Sequence, residues 1–133
     1  MKRVMLDTNT VSQLLKAEPN ALKHLKAARV ESLCISVITE GELRYGLAKR
    51  PQARRLHVAV TELLKRLDVL PWTGGTARRY GELRAGLERT GKPLAPLDML
   101  IAAHALDVNA LLATNDKAFR HVVGLKTENW TLP

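Results

Sequence analysis

The chain has 133 residues, 46% apolar and 26% charged, the balance of a globular domain with a sizeable core and not of a disordered or membrane-embedded chain. It carries 21 Lys and Arg against 13 Asp and Glu, a net charge of +8, and such a surface attracts polyanions, nucleic acid above all. Aromatic residues are only 4%, which speaks against a base-stacking platform and leaves phosphates or chemistry as the means of contact.

No apolar run approaches the roughly 20 residues of a membrane span. The opening MKR followed by VML is too short for the apolar core of a signal peptide, so a cytoplasmic location is expected and no membrane partner. The one cysteine, Cys34, lies in the apolar run LCISV and reads as buried packing in a reducing compartment.

In chain order, residues 3–6 read as a strand and residues 8–17 as a helix. Pro19 opens a second helix over 19–29, with Ala21, Leu22, Leu25 and Ala28 as its apolar stripe. A strand over 33–36 leads into a helix over 38–49. Pro51 is expected to open the next helix, on which Leu56, Val60, Leu63, Leu64 and Leu67 recur at helical spacing. A strand over 68–72 precedes a helix over 76–90, with Tyr80, Leu83 and Leu87 inward and Gly91 as its stop. A strongly apolar helix over 96–106, a strand over 110–114 and a last short strand over 126–130 complete the chain. This order predicts a wound α/β sheet, in which ligands bind at the carboxyl ends of the strands near the topological switch point.

Acids are the scarce charge, and four of them fall where such a site would be. Asp7 follows the first strand directly, and Asp116 follows the strand over 110–114 by two residues. Each has a plainer role open to it, Asp7 as a helix N-cap and Asp116 in an Asx-turn. Glu42 shares a helical face with Ile38 and Tyr45, and a carboxylate on an apolar stripe costs free energy unless it meets a cation or good donors. Asp98 is followed at i+3, i+4 and i+7 by Ile101, Ala102 and Ala105, although a place in the first turn after Pro96 also suits an acid. Four converging carboxylates raise one another's pKa values unless a cation joins them. All-oxygen ligands favour Mg2+ or Mn2+. The four histidines form no ligand pair, and His104, inside LIAAHAL, reads as a core residue.

With those residues placed, the chain resembles the PIN-domain ribonucleases, and among them the VapC-type toxins of bacterial type II toxin–antitoxin systems. The resemblance rests on LDTN (6–9), ISVITEGELRYG (35–46), TGKPLAPLDMLIAAHAL (90–106), LLATND (111–116) and FRHVVGLKTENW (119–130), specific in their order and spacing. It implies a single PIN domain over residues 1–133, a three-layer α/β/α sandwich around a small, mainly parallel sheet. It implies a catalytic set of Asp7, Glu42, Asp98 and Asp116, with Asp7, Asp98 and Asp116 as metal ligands and Asn9, Thr39, Thr114 and Asn115 as the polar residues around them. The expected activity is Mg2+- or Mn2+-dependent endoribonuclease cleavage of RNA, possible substrates being tRNA or rRNA, that halts translation and growth. The expected partners are RNA, a second copy in a homodimer and a VapB-type antitoxin that silences the site and links the pair indirectly to operator DNA.

Candidate RNA-guiding residues are Arg50, Arg54, Arg55, Arg78, Arg79 and Arg84, for each of which a solvated helix face is an equal reading. Two rival functions are weaker. A haloacid-dehalogenase-type phosphatase requires a second Asp at position 9, where this chain has Asn9. A catalytically silent binding or regulatory module would not be expected to keep all four acids. A Rossmann enzyme is excluded because no G-x-G-x-x-G follows the first strand.

Overall fold

The computed structural model describes residues 2–92 and 94–133. Met1, in the opening tripeptide, and Pro93, in the TGKPLAP stretch, lie outside the described residues. Five short strands form one parallel sheet: β1 (Val4–Leu6), β2 (Leu33–Ser36), β3 (Asp68–Leu70), β4 (Leu111–Ala113) and β5 (Thr127–Glu128). Their order is β3-β2-β1-β4-β5. The chain starts in the middle, winds outward to β3, then returns to the other side of β1 as β4. The switch point therefore lies between β1 and β4.

The strands alternate their side chains between two cores, as the two-residue period of a strand requires. Leu6, Leu33, Ile35 and Ala113 enter one core; Met5, Cys34 and Leu112 enter the other. The first core is closed by α1 (Thr8–Leu15), α2 (Pro19–Ala27), α3 (Val37–Ala48) and α4 (Arg54–Arg66), through Val11, Ala21, Leu43 and Val60. The second is closed by α5 (Gly74–Arg89) and α6 (Pro96–Asp107), through Leu87, Ile101, Ala102 and Ala105. The result is the expected α/β/α sandwich, with a sheet parallel throughout. No helix among the described residues is long and apolar enough to cross a membrane.

Cys34 is fully buried, and desolvation pushes its thiol up to about 11. His104 is also buried; its Nδ1 lies 2.7 Å from the Ser36 hydroxyl and its ring meets Trp72 edge-on. Burial lowers its pKa, so it is a neutral core histidine as expected.

Three of the boundaries that differ from the sequence reading have a visible cause. Pro51 does not open α4: residues 51–52 form a turn in which Arg54 N–H donates to Gln52 carbonyl, and the helix starts at Arg54. Helix α5 begins two residues earlier than expected. There Thr73 accepts from Thr76 N–H while the Thr76 hydroxyl accepts from Thr73 N–H, a reciprocal cap made with Thr where Glu or Gln is usual. The last strand stops at Glu128, and Trp130 instead turns into the core and stacks on His24 at 5.6 Å.

Candidate active site

The site grows from the ends of the two central strands. Asp7 is the first residue past β1 and is buried. Its backbone N–H donates to Ala113 carbonyl at 3.1 Å, and the Thr10 hydroxyl donates to the same oxygen at 2.8 Å, so the ends of β1 and β4 are tied together. Asp7 also caps α1, accepting from Thr10 N–H at 2.7 Å, a cap contributing about 1 kcal/mol. The plain reading and the functional one are thus compatible: the cap occupies one carboxylate oxygen and fixes the other. Burial raises the Asp7 pKa, Asp116 adds to this, and bonds from Thr114 and Thr10 oppose it.

Asp98 comes from the first turn of α6 and Glu42 from the middle of α3. Asp116 lies past β4 and caps the 3-10 helix Lys117–His121, accepting from Ala118 N–H at 2.9 Å. All four acids line one cleft of about 320 Å3, together with Thr8, Asn9 and Ser12. Their mutual repulsion is visible at Asp98. Its carboxyl is pushed up to about 6, by burial first and then by Asp116, Asp7 and Glu42.

The four polar residues expected around the acids are also here. Asn9 Nδ2 donates to Asn115 Oδ1 at 2.7 Å, bridging α1 to the loop after β4. Thr114 is buried, and its hydroxyl accepts from Asp116 N–H at 3.1 Å, setting the turn that presents Asp116. Thr39 is buried beneath Thr8, whose hydroxyl lies 3.4 Å away.

Thr8 is the residue that sequence reasoning missed. Its hydroxyl donates to Glu42 Oε1 at 2.5 Å and holds that side chain toward the cleft. Ser12, one helical turn later, lines the cleft beside it. The signal was present: hydroxyls at i and i+4 immediately after an acid at a strand tip share one helix face.

The reason given for Glu42 needs correction. Ile38 is packed on the core, but Tyr45 is 64% exposed, with Lys49 Nζ 4.5 Å above its ring. Glu42 is placed by Thr8, not by an apolar stripe that includes Tyr45. Arg44 is engaged with Glu40 at 3.0 Å.

The six candidate arginines are scattered. Arg50 lines a groove that shares Thr8, Ser12 and Glu42 with the acid cleft. Arg54, Arg55 and Arg78 are exposed on α4 and α5. Arg84 is tied to Glu88 at 3.1 Å and donates to the Tyr80 hydroxyl. Arg79 faces a separate hollow with Lys2 and Lys126, at the amino ends of the strands.

The donor set suits a hard divalent cation: it is all oxygen, partly desolvated, and electrostatically strained without one. No three His, Cys, Asp or Glu side chains among the described residues converge closely enough in this structure to hold a metal ion together. Mg2+ keeps several waters and takes only one or two carboxylates directly.

A family model described as PIN domain matches residues 4–125. The chain is 34% identical over 132 residues to the tRNA(fMet)-specific endonuclease VapC of Shigella flexneri, covering 98% of this chain and 100% of that one. It is 34% identical over 131 residues to Ribonuclease VapC2 of Haemophilus influenzae, covering 98% and 99%. Among solved structures, DNA-bound VapBC from Salmonella typhimurium superposes with a TM-score of 0.90 at 34% identity, covering 98% and 99% of the two chains. VapBC2 from Rickettsia felis, bound to a promoter DNA fragment, gives 0.88 at 32% identity, covering 96% and 98%.

Proposed function

The chain belongs to the PIN-domain ribonucleases of the VapC toxin type, and from that membership we propose that it hydrolyses RNA phosphodiester bonds at the Asp7–Glu42–Asp98–Asp116 cleft with Mg2+ or Mn2+. The observation that carries the site assignment is the gathering of four acids from four elements into one cleft of a basic protein. The activity belongs to the whole of residues 1–133 as one domain.

Asp7, Asp98 and Asp116 hold the ion in this reading. A divalent cation bound there lowers the pKa of an attacking water and offsets charge on the phosphate. Asp7 is the fixed donor, because a strand end and the cap to Thr10 set its position. Asp98 completes the binding side from the first turn of α6. Asp116 keeps one oxygen on Ala118 N–H, and the other would be free to help hold the ion. Glu42 keeps one oxygen on Thr8; the second orients the attacking water and takes its proton. Asn9 and Asn115, bonded to each other, brace the rim.

The substrate we infer is a structured RNA, and tRNA is the first to test, since the Shigella relative is named for a tRNA. The related solved structures are toxin–antitoxin complexes. By that likeness this chain is silenced by a VapB-type antitoxin, acts in the cytoplasm as a homodimer when released, and meets operator DNA through the antitoxin.

The test is direct. Asp7→Asn keeps a cap, so the fold survives, while Mg2+-dependent RNA cleavage falls on the order of 10^3-fold and growth arrest on expression is lost. Undiminished cleavage would remove the site from this cleft. Release of inorganic phosphate from small phosphomonoesters, without RNA cleavage, would favour the phosphatase reading.

A further inference from the structure

The hollow at the opposite edge of the sheet takes no part in that chemistry, and its composition is unlike the cleft's. Lys2 lies two residues before β1 and Lys126 immediately before β5, with β4 between those strands. Neighbouring strands stand about 4.8 Å apart, so these two positions are roughly 10 Å apart. The backbone beneath them is pinned: Leu111 N–H donates to Arg3 carbonyl and Leu112 N–H to Lys126 carbonyl, both at 2.9 Å. Turns at Asn109 (φ 53°) and Gly124 (φ 84°) shape the rim, with conformations that Asn and Gly accept at least cost. Arg79 enters from α5, and the three cations face one cavity of about 270 Å3 whose lining contains no acid.

None of Lys2, Arg79 and Lys126 makes an ion pair among the described residues, whereas Arg3, Arg44, Lys65 and Arg84 each have a carboxylate within 3.2 Å. Three exposed, uncompensated charges around a concavity favour an anion. They are spread over two strand starts and a helix, which suits successive charges along a polyanion better than a single phosphate. The hollow is also continuous with the rest of the surface. Arg79 and Val123 line the next cavity along, about 330 Å3, where Arg89 and His121 stand with one acid, Glu82. His121 ends the 3-10 helix that Asp116 caps, so five residues, roughly 10 Å at about 2 Å each, lead from the acid cleft toward this trough. Lys117 and Arg120 are exposed on the way.

We propose that Lys2, Arg79 and Lys126 form a phosphate-binding trough that holds the backbone of the RNA substrate at a distance from the scissile bond. The proposal rests on the ribonuclease reading and adds to it a second contact, used by RNA long enough to reach both places. The cleft positions the bond to be cut; the trough supplies affinity that does not depend on sequence.

The test compares the parent with Lys2→Glu/Arg79→Glu/Lys126→Glu, and with the milder Arg79→Ala/Lys126→Ala in case charge reversal prevents folding. Binding of bulk tRNA and of duplex DNA is read by anisotropy in EDTA across a salt series, the unfolding temperature by thermal melting, and cleavage of tRNA and of a short single-stranded oligonucleotide in Mg2+. The expected result is a loss of tRNA affinity of about tenfold or more, with the log–log salt slope shallower by about one for each contact removed. Cleavage of the short oligonucleotide is unchanged. Unchanged tRNA affinity and slope overturn the proposal, as does a lowered unfolding temperature with RNA binding intact, which would make these cations partners of the α6 helix dipole. Loss of duplex DNA affinity with tRNA affinity kept would reassign the trough to DNA and overturn it too. A parent that binds tRNA but cuts neither RNA counts against the ribonuclease reading, and its binding data still judge the trough.

Discussion

At the carboxyl edge of the sheet, Asp7, Glu42 and Asp116 each accept a hydrogen bond from a backbone N–H or a hydroxyl. At the amino edge, Lys2, Arg79 and Lys126 extend from a pinned surface with no charged partner among the described residues. The sign of each edge follows from the winding. Helices α1 and α6 present their N-termini near the acids, and α6 ends just before the start of β4. Partial positive charge at helix N-termini and negative charge at C-termini favour this arrangement. The rigidity differs for a different reason. A metal ligand must be held within a fraction of an ångström, whereas a cation meeting a phosphate chain gains from reach. One sheet therefore offers a fixed edge and a compliant edge, and substitutions on the fixed edge have the larger effects.

Next to the loss given above for Asp7→Asn, the largest is expected for Asp98→Asn, which removes a ligand while keeping its shape. RNA cleavage falls on the order of a hundredfold or more, and calorimetry shows weaker Mg2+ binding. Unchanged Mg2+ affinity would take Asp98 out of the ligand set.

A smaller loss separates holding an acid from being one. Thr8→Val frees Glu42 without removing any carboxylate, and cleavage falls about tenfold, the scale of lost support beside a metal site. Mg2+ affinity changes much less. A loss as large as that of Asp98→Asn would mean that Thr8 touches the ion or the substrate itself.

The smallest effect is on stability, and its sign follows from Asp98. The carboxyl is raised from 3.8 to about 6, by burial and then by the neighbouring acids. Between those values the folded chain holds a proton that the unfolded chain has released, so this group disfavours folding as pH rises and does so fully above about 6. In metal-free protein at pH 7, Asp98→Asn therefore melts a few degrees higher than the parent. The gap closes as pH falls from about 6 to 4. A gap that widens on acidification would contradict the repulsion described for the cleft.

The same contrast explains what the sequence disclosed. Strand and helix order follow from apolar periodicity, which records burial, and the sheet's two faces follow from period two in residues such as Leu33, Cys34 and Ile35. Asp7 and Asp116 stand out because a strand end fixes where the next residue goes. Asp98 is legible because the helix after it is buried almost all round. Glu42 was placed by a partly mistaken argument: periodicity puts Tyr45 on its face, yet only packing shows that Tyr45 points outward while Leu43 and Leu47 on either side of it are buried. Thr8 went unread because a hydroxyl that supports an acid looks like any polar residue opening a helix. The basic residues are the least legible. Lys2 and Lys126 meet Arg79 through the order β1-β4-β5, and no local pattern announces which exposed cations will share a hollow.

The burial of Cys34 makes the two edges accessible to spectroscopy. The chain's one thiol is enclosed in the sheet and raised to about 11, so it offers almost no thiolate to a maleimide at neutral pH. A cysteine introduced at Val123, which is 93% exposed beside the trough, becomes the sole reactive handle without removal of the native one. A dye there would report arrival of RNA at the compliant edge independently of any cut at the fixed one.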